Sequence, residues 1–284
     1  MMIEMSFKKN VKKAISEVLR YMPIKKYINT PVLYGELLKG KTALITGGTS
    51  GIGYEIAESF LRNGANVVIS GRNEEKLRAA TENLKKKYKD CNIVGIKLDN
   101  CDISKMQSAF DEIVQECSGT IDILVNNAGV INKTSFGKVN EKDWNLVIDS
   151  DLKGPYFLTQ IISRYMIENK VKGNILNISS SSAIRPGLNS YHFAKNSMMN
   201  FTKGLAKELI KYDIVVNGIA PGPTATSMIS DDDNINRPSS PAKRYCTPEE
   251  IANLTTILVS DISRMVVGDT LFVTGGCGLI TFDD

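Results

Sequence analysis

The chain has 284 residues, 42% of them hydrophobic and 23% charged, with a formal net charge of +4. That balance is too apolar and too weakly charged for a disordered chain. No run approaches the roughly 18 uninterrupted apolar residues of a membrane span, and the opening MMIEMSFKKN carries Glu4 and two lysines where a secretory leader would be apolar. A single histidine, His192, excludes sites built on two imidazoles. Five scattered cysteines, none in a CxxC pair, imply reduced thiols, a cytoplasmic setting and no metal site.

The charge is uneven. Residues 1–41 hold nine Lys or Arg against Glu4, Glu17 and Glu36, which leaves the other 243 residues at about −2 and without the basic footprint of a nucleic-acid binder. Within residues 1–40, Phe7, Val11, Ile15, Val18 and Met22 recur at spacings of three and four. This predicts an amphipathic basic helix that packs on its own body or a sister subunit, or meets an anionic membrane surface or an acidic partner.

From residue 41 strands alternate with helices. TALIT (42–46) is a short apolar strand, followed by a glycine-rich turn and a helix over Ile52–Arg62. NVVIS (66–70) is the next strand, with charged helical sequence running to Lys89. NIVGIKL (92–98), IDILV (121–125), NILNIS (174–179), IVVNGIA (214–220) and TLFVT (270–274) are further strands between helical stretches. Apolar strands alternating with helices imply an α/β fold whose doubly wound parallel sheet is covered on both faces, a Rossmann arrangement. Residues 41–284 read as one domain, and residues 1–40 as its helical extension.

Two phosphate-binding patterns compete near the first strand. GELLKGKT (Gly35–Thr42) matches GxxxxGK[ST] letter for letter. A phosphate loop of that type must leave a strand and open a helix, whereas this one leads into TALIT, so the match is attributed to chance. TGGTSGIG (Thr46–Gly53) has the required context, a strand before it and a helix after. Gly47 permits a tight turn, Gly51 lets backbone approach a pyrophosphate, and Gly53 lets helix and strand pack closely.

NNAG (Asn126–Gly129), YHFAK (Tyr191–Lys195) and APGPTAT (Ala220–Thr226) follow in one order. Together with TGGTSGIG they resemble the signatures of the short-chain dehydrogenase/reductase family, over about 240 residues from Lys41 onward. Tyr191 and Lys195, four apart, share one helix face. An ammonium about 4 Å from a phenol, at an effective dielectric near 20, favours phenolate by roughly 4 kcal/mol, which makes Tyr191 the expected proton donor and acceptor.

The remaining assignments come from the resemblance. It selects Ser180, three residues after Asn177, as the serine that orients the carbonyl, with Ser179 and Ser181 open as alternatives because the step to Tyr191 is short. It gives Lys195 a second role on the nicotinamide ribose. It places Asp151 where relatives carry the Asn of a proton relay. It assigns Gly47, Thr49, Ser50, Gly51, Ile52 and Gly53 to the cofactor loop, Asp102 and Ile103 to adenine, and Asn127, Ala128 and Gly129 to the adenosine side. Pro221, Gly222, Thr224 and Thr226 fall to the nicotinamide and pyrophosphate. Gly71 stands where NAD-preferring relatives place Asp, and Arg72 follows it, which favours the 2′-phosphate of NADP(H).

The implied activity is an NADP(H)-dependent interconversion of a small-molecule ketone and a secondary alcohol, without metal, in a homodimer or homotetramer. A 3-oxoacyl-(acyl-carrier-protein) reductase is the narrower alternative. A non-catalytic NADP-binding regulatory protein on the same fold, or a nucleotide triphosphatase using Gly35–Thr42, are rivals of other classes.

Overall fold

The computed structural model describes residues 35–117, 119–131, 134, 136–226, 235–237 and 239–277. The basic helix expected between Phe7 and Met22 and the acidic run Asp231–Asp233 lie outside them. Seven strands form one sheet: β1 (Thr42–Thr46), β2 (Asn66–Gly71), β3 (Ile93–Lys97), β4 (Ile123–Asn126), β5 (Asn174–Ile178), β6 (Val215–Pro221) and β7 (Thr270–Val273). They lie in the order β3-β2-β1-β4-β5-β6-β7, every neighbouring pair parallel. The strand order reverses direction between β1 and β4, so a crevice opens there beyond the carboxyl ends of the strands.

The helices are α1 (Gly51–Arg62), α2 (Glu74–Lys87), α3 (Met106–Glu116), α4 (Glu141–Ile148), α5 (Gly154–Glu168), α6 (Ser190–Leu209) and α7 (Pro248–Leu258). They cover both faces of the sheet, which explains why the strands are continuous apolar runs. On one face Ile45, Ile69 and Val125 pack with Phe60 of α1, Leu84 of α2 and Ile251 of α7. On the other Leu44, Val68 and Leu124 pack with Ile113 of α3, Ile162 of α5 and Leu209 of α6. Successive residues of β1 thus serve opposite cores, as the two-residue period of a strand requires.

The turn Gly35–Gly40 lies at the amino end of β1. There Leu38 N–H donates to the Asn63 carbonyl (3.0 Å) and Gly40 N–H to that of Gly64 (3.2 Å). The GxxxxGK[ST] match therefore precedes its strand and braces the end of α1.

A buried polar chain ties β4 and β5 to the helices behind them. Asn126 Nδ2 donates to Thr159 Oγ1 (2.9 Å) and Asn177 Oδ1 (2.8 Å), and Asn177 Nδ2 donates to Thr202 Oγ1 (2.9 Å). These bonds fix the strand ends from which the crevice is built.

Candidate active site

A cavity of about 770 Å³ spans the carboxyl ends of the strands. Its floor is the loop from β1 into α1. Gly47 has φ +66, and a Cβ there would lie 2.9 Å from Ala128 Cα. At Gly53 a Cβ would lie 2.4 Å from the Gly47 carbonyl oxygen and 2.4 Å from Asn127 Nδ2, so only glycine lets α1 start against the loop. Thr46 Oγ1 accepts from the amides of Asn127 and Ala128, 3.0 Å each, and Asn127 Nδ2 donates to the Thr46 carbonyl at 2.9 Å. The side chain of Asn127 thus holds the glycine loop together while the residue lines the cavity.

One helix start stands out. α2, α4, α6 and α7 begin after an extended residue whose side chain caps them: Asn73, Asn140, Asn189 and Thr247. α1 also begins after an extended residue, Ser50, but no side chain caps it, and Ser50, Gly51, Ile52 and Gly53 line the cavity. Its first amides and the positive end of its dipole face space suited to a phosphate.

The opposite wall comes from β5, α6 and the π turn Asp149–Lys153 that joins α4 to α5. Ser180, Tyr191, Lys195 and Asp151 all line the cavity. Asn189 caps α6 and binds His192 Nδ1 at 2.7 Å, which assigns the lone histidine to the helix start. Lys195 is buried; its Nζ donates to the Ile178 carbonyl at 3.1 Å and lies 3.1 Å from Asp151 Oδ2. It sits 5.6 Å from the centroid of the Tyr191 ring. The ammonium expected to serve the phenol is therefore shared with a carboxylate, because the π turn aims Asp151 inward and Gly129 leaves room for it. A Cβ on Gly129 would lie 2.6 Å from Asp151 Oδ2.

Burial pulls the Lys195 pKa down. The Asp151 carboxylate and then Tyr191 outweigh it and hold the lysine above its ordinary value. Asp151 Oδ1 accepts the Val130 amide at 2.7 Å, fixing the carboxylate. Among the serines, Ser179 Oγ donates to the Lys195 carbonyl at 2.8 Å, whereas Ser180 Oγ accepts only the Ser182 amide at 3.1 Å and keeps its hydroxyl hydrogen for a ligand.

A family model described as enoyl-(acyl carrier protein) reductase matches residues 47–278. The 3-oxoacyl-[acyl-carrier-protein] reductase FabG of Aquifex aeolicus is 35% identical over 245 residues, covering 84% of this chain and 98% of the relative. The chain belongs to the short-chain dehydrogenase/reductase family. This dehydrogenase/reductase is also 32% identical to gluconate 5-dehydrogenase of Gluconobacter oxydans, over 84% of this chain and 95% of that one. Among solved structures it resembles L-sorbose reductase from Gluconobacter frateurii complexed with NADPH and L-sorbose. That TM-score is 0.79 with 29% identity, covering 87% of this chain and 100% of the other. It is an oxidoreductase of CH–OH and C=O groups, from a family that uses nicotinamide cofactors.

The cavity of this dehydrogenase/reductase fits such a dinucleotide, through the glycine floor and the uncapped amides of α1. Pro221 ends β6, and Gly222, Thr224 and Thr226 follow along the wall; Thr224 Oγ1 donates to the Gly222 carbonyl at 3.0 Å. At the far end, Arg72 is joined by Lys76, which the sequence reading missed although it stands four residues on, in the first turn of α2. Asp102 and Ile103 are not among the residues lining the cavity; Asp99 and Asn100 are. β3 ends at Lys97 and the chain crosses the cavity directly after it, while Asp102 turns to Ser104 (2.5 Å) and Lys105 (3.0 Å). Among the described residues no helix is long and apolar enough to cross a membrane, and no His, Cys, Asp or Glu cluster suits a metal.

Proposed function

We propose that this protein interconverts a ketone and a secondary alcohol with NADP(H). The observation that carries the reading is the single cavity in which Tyr191, Ser180 and Lys195 face the glycine floor and the uncapped start of α1. Gly47 to Gly53, Asn127 to Gly129, Asn100 and Thr224 to Thr226 would hold the dinucleotide, with Arg72 and Lys76 on its 2′-phosphate. When bound, it supplies or takes up the hydride.

The protein's own residues handle the oxygen. Ser180 Oγ donates a hydrogen bond to the carbonyl oxygen and fixes its place. Tyr191 Oη gives that oxygen a proton, or takes it back in the reverse direction. Lys195 keeps positive charge beside the phenol, and Asp151 holds the lysine in position. The names of the relatives, among them a 3alpha-hydroxysteroid dehydrogenase of Mediterraneibacter gnavus, set the range of ketones to assay.

NADPH oxidation against acyl thioesters, keto acids, ketoses and steroids tests the reading. Tyr191→Phe is expected to lose turnover at least about 100-fold, within the usual range for general acid–base catalysis, while NADPH Kd stays within about threefold. Undiminished turnover in that variant, or NADPH binding without turnover of any ketone, sinks the proposal.

We also assign the protein to the cytoplasm, in keeping with its five free cysteines. A homodimer or homotetramer is supported by the exposed aromatics Trp144, Tyr156, Phe157 and Phe193 around α4, α5 and α6. Light scattering that shows a monomer overturns that assembly.

A further inference from the structure

The cavity has two cationic ends, and only one of them is explained by a cofactor. Arg72 stands at the end of β2, whereas Arg185 and Arg237 line the same cavity from the loops after β5 and β6. Three strand spacings separate β2 from β5 in the order β2-β1-β4-β5, about 14 Å at the usual interval between strands. Arg185 also lies between Ser180 and Tyr191 in the chain, so it belongs to the side that receives the reacting carbonyl.

Arg185 and Arg237 continue into an adjoining hollow of about 460 Å³, which Lys243 lines as well. No acidic side chain lines this hollow among the described residues. The placement of Arg237 is built. Its guanidinium lies 5.5 Å from the centroid of the Tyr245 ring, Nη1 donates to Cys277 Sγ at 3.3 Å, and its carbonyl accepts the Ser240 amide at 3.0 Å. A thiol is a weak acceptor and leaves most of a guanidinium's hydrogen-bonding capacity unused. By contrast Arg264 is paired with Asp213 at 2.6 Å and Arg244 with Glu250 at 2.6 Å. Neither Arg185 nor Arg237 forms an ion pair with a carboxylate among the described residues.

We infer that the substrate carries an anionic oxyacid group, and that Arg185 and Arg237 receive it at the mouth of the cavity while Ser180 and Tyr191 engage the carbonyl. This rests on the reading that the cavity reduces a ketone, and it narrows that reading from ketones in general to anionic ones. Two guanidiniums suit a carboxylate or a phosphate through paired charge-assisted hydrogen bonds. They act on binding and orientation, since neither touches the reacting atoms. The anion has two possible sources, a carboxylate on the ketone itself or a phosphate on the carrier of a 3-oxoacyl thioester.

Matched substrates separate the sources. The first pair is 5-ketogluconate and L-sorbose, which differ by a carboxylate against a hydroxymethyl group. The second is acetoacetyl-4′-phosphopantetheine and acetoacetyl-pantetheine, which differ by one phosphate. The full-length enzyme is expected to prefer the anionic member of at least one pair in kcat/KM. In Arg185→Gln with Arg237→Gln that preference is expected to fall about 30-fold or more, mostly through KM, as loss of charged hydrogen bonds requires. No preference for the anionic member in either pair, or one that survives the double variant, overturns the inference.

If no ketone is turned over, the proposed activity fails, and the arginines are judged by binding alone. Tartrate is then titrated into the NADPH-loaded protein by calorimetry. A Kd at least tenfold weaker in the double variant sustains the anion site; an unchanged Kd, or no tartrate binding to the wild type, removes it.

Discussion

Lys195 Nζ lies 3.1 Å from Asp151 Oδ2, and the two side chains are 6% and 0% exposed. Oδ2 sits off the line of a hydrogen bond, so the contact is chiefly charge on charge in a buried place. Removing one partner leaves an uncompensated charge, which costs more than the pair itself contributes. Asp151→Ala is expected to lower stability by about 3–5 kcal/mol at neutral pH. Asp151→Asn should cost less, because an amide oxygen can still accept the Val130 N–H now bound at 2.7 Å.

The same pair sets a pH dependence. Lys195 is held above its ordinary value of 10.5, so its contribution to stability is complete below that pH and is lost as pH rises through the folded value. In Asp151→Ala the buried lysine has no carboxylate, and burial then favours its neutral form. The stability gap between wild type and Asp151→Ala should therefore narrow as pH rises towards 10.5, where the variant's lysine sheds its proton, and further above it, where the wild-type lysine does. Urea unfolding from neutral pH to pH 11 measures it, and a gap that stays constant across that range contradicts the ion-pair account.

The serines divide by their partners. Ser179 gives its hydroxyl hydrogen to the Lys195 carbonyl at 2.8 Å, within the fold. Ser180→Ala is expected to lower kcat about 100-fold or more with little change in melting temperature, the usual cost of losing one donor to the reacting oxygen. Ser179→Ala should do the reverse, losing about 0.5–1.5 kcal/mol of stability with its buried hydrogen bond to the Lys195 carbonyl, which keeps its helical partner. Paired kinetics and thermal melts decide it, and a larger kcat loss in Ser179→Ala would exchange the two roles.

The strands were legible because each is buried on both faces, so TALIT and NVVIS stand as apolar blocks between charged helices, and their ends agree with β1 and β2 within a residue. What stayed hidden lies in contacts between distant segments. The bond from Asn126 to Asn177 joins residues 51 apart in the chain. The Asp151–Lys195 pair depends on a π turn that no residue pattern announces. Asp102 and Ile103 were selected by their likeness to a family pair, but the position where β3 ends brings Asp99 and Asn100 to the cavity instead. Ser179 and Ser180 are neighbours of identical chemistry, and only their hydrogen-bond partners separate them.

Gly53 carries a steric prediction. A methyl group there would meet backbone oxygen at 2.4 Å, a contact that no side-chain rotation relieves. Gly53→Ala is expected to cost about 1–3 kcal/mol or more through overpacking, and to weaken NADPH binding by pushing the start of α1 off the loop. Differential scanning fluorimetry with and without NADPH reads both effects, and a variant with unchanged melting temperature and Kd refutes the close approach.

The proposed preference for NADP(H) turns on Arg72. That residue follows Gly71 at the end of β2, so the strand offers no carboxylate to the adenosine ribose, and Lys76 joins it from the first turn of α2. Glu74, in the first turn of α2, is paired with Lys97 at 2.5 Å. Two cations therefore line the end of the cavity that the proposal gives to a 2′-phosphate, and charged hydrogen bonds of this kind contribute about 1.5–3 kcal/mol each. Arg72→Glu replaces attraction with repulsion, so KM for NADPH should rise about 100-fold while KM for NADH changes less than about threefold. Lys76→Ala should raise KM for NADPH by about tenfold on its own, because it removes one of the two cations. Steady-state kinetics with both cofactors check this, and equal losses for NADPH and NADH would show that these cations do not read the 2′-phosphate.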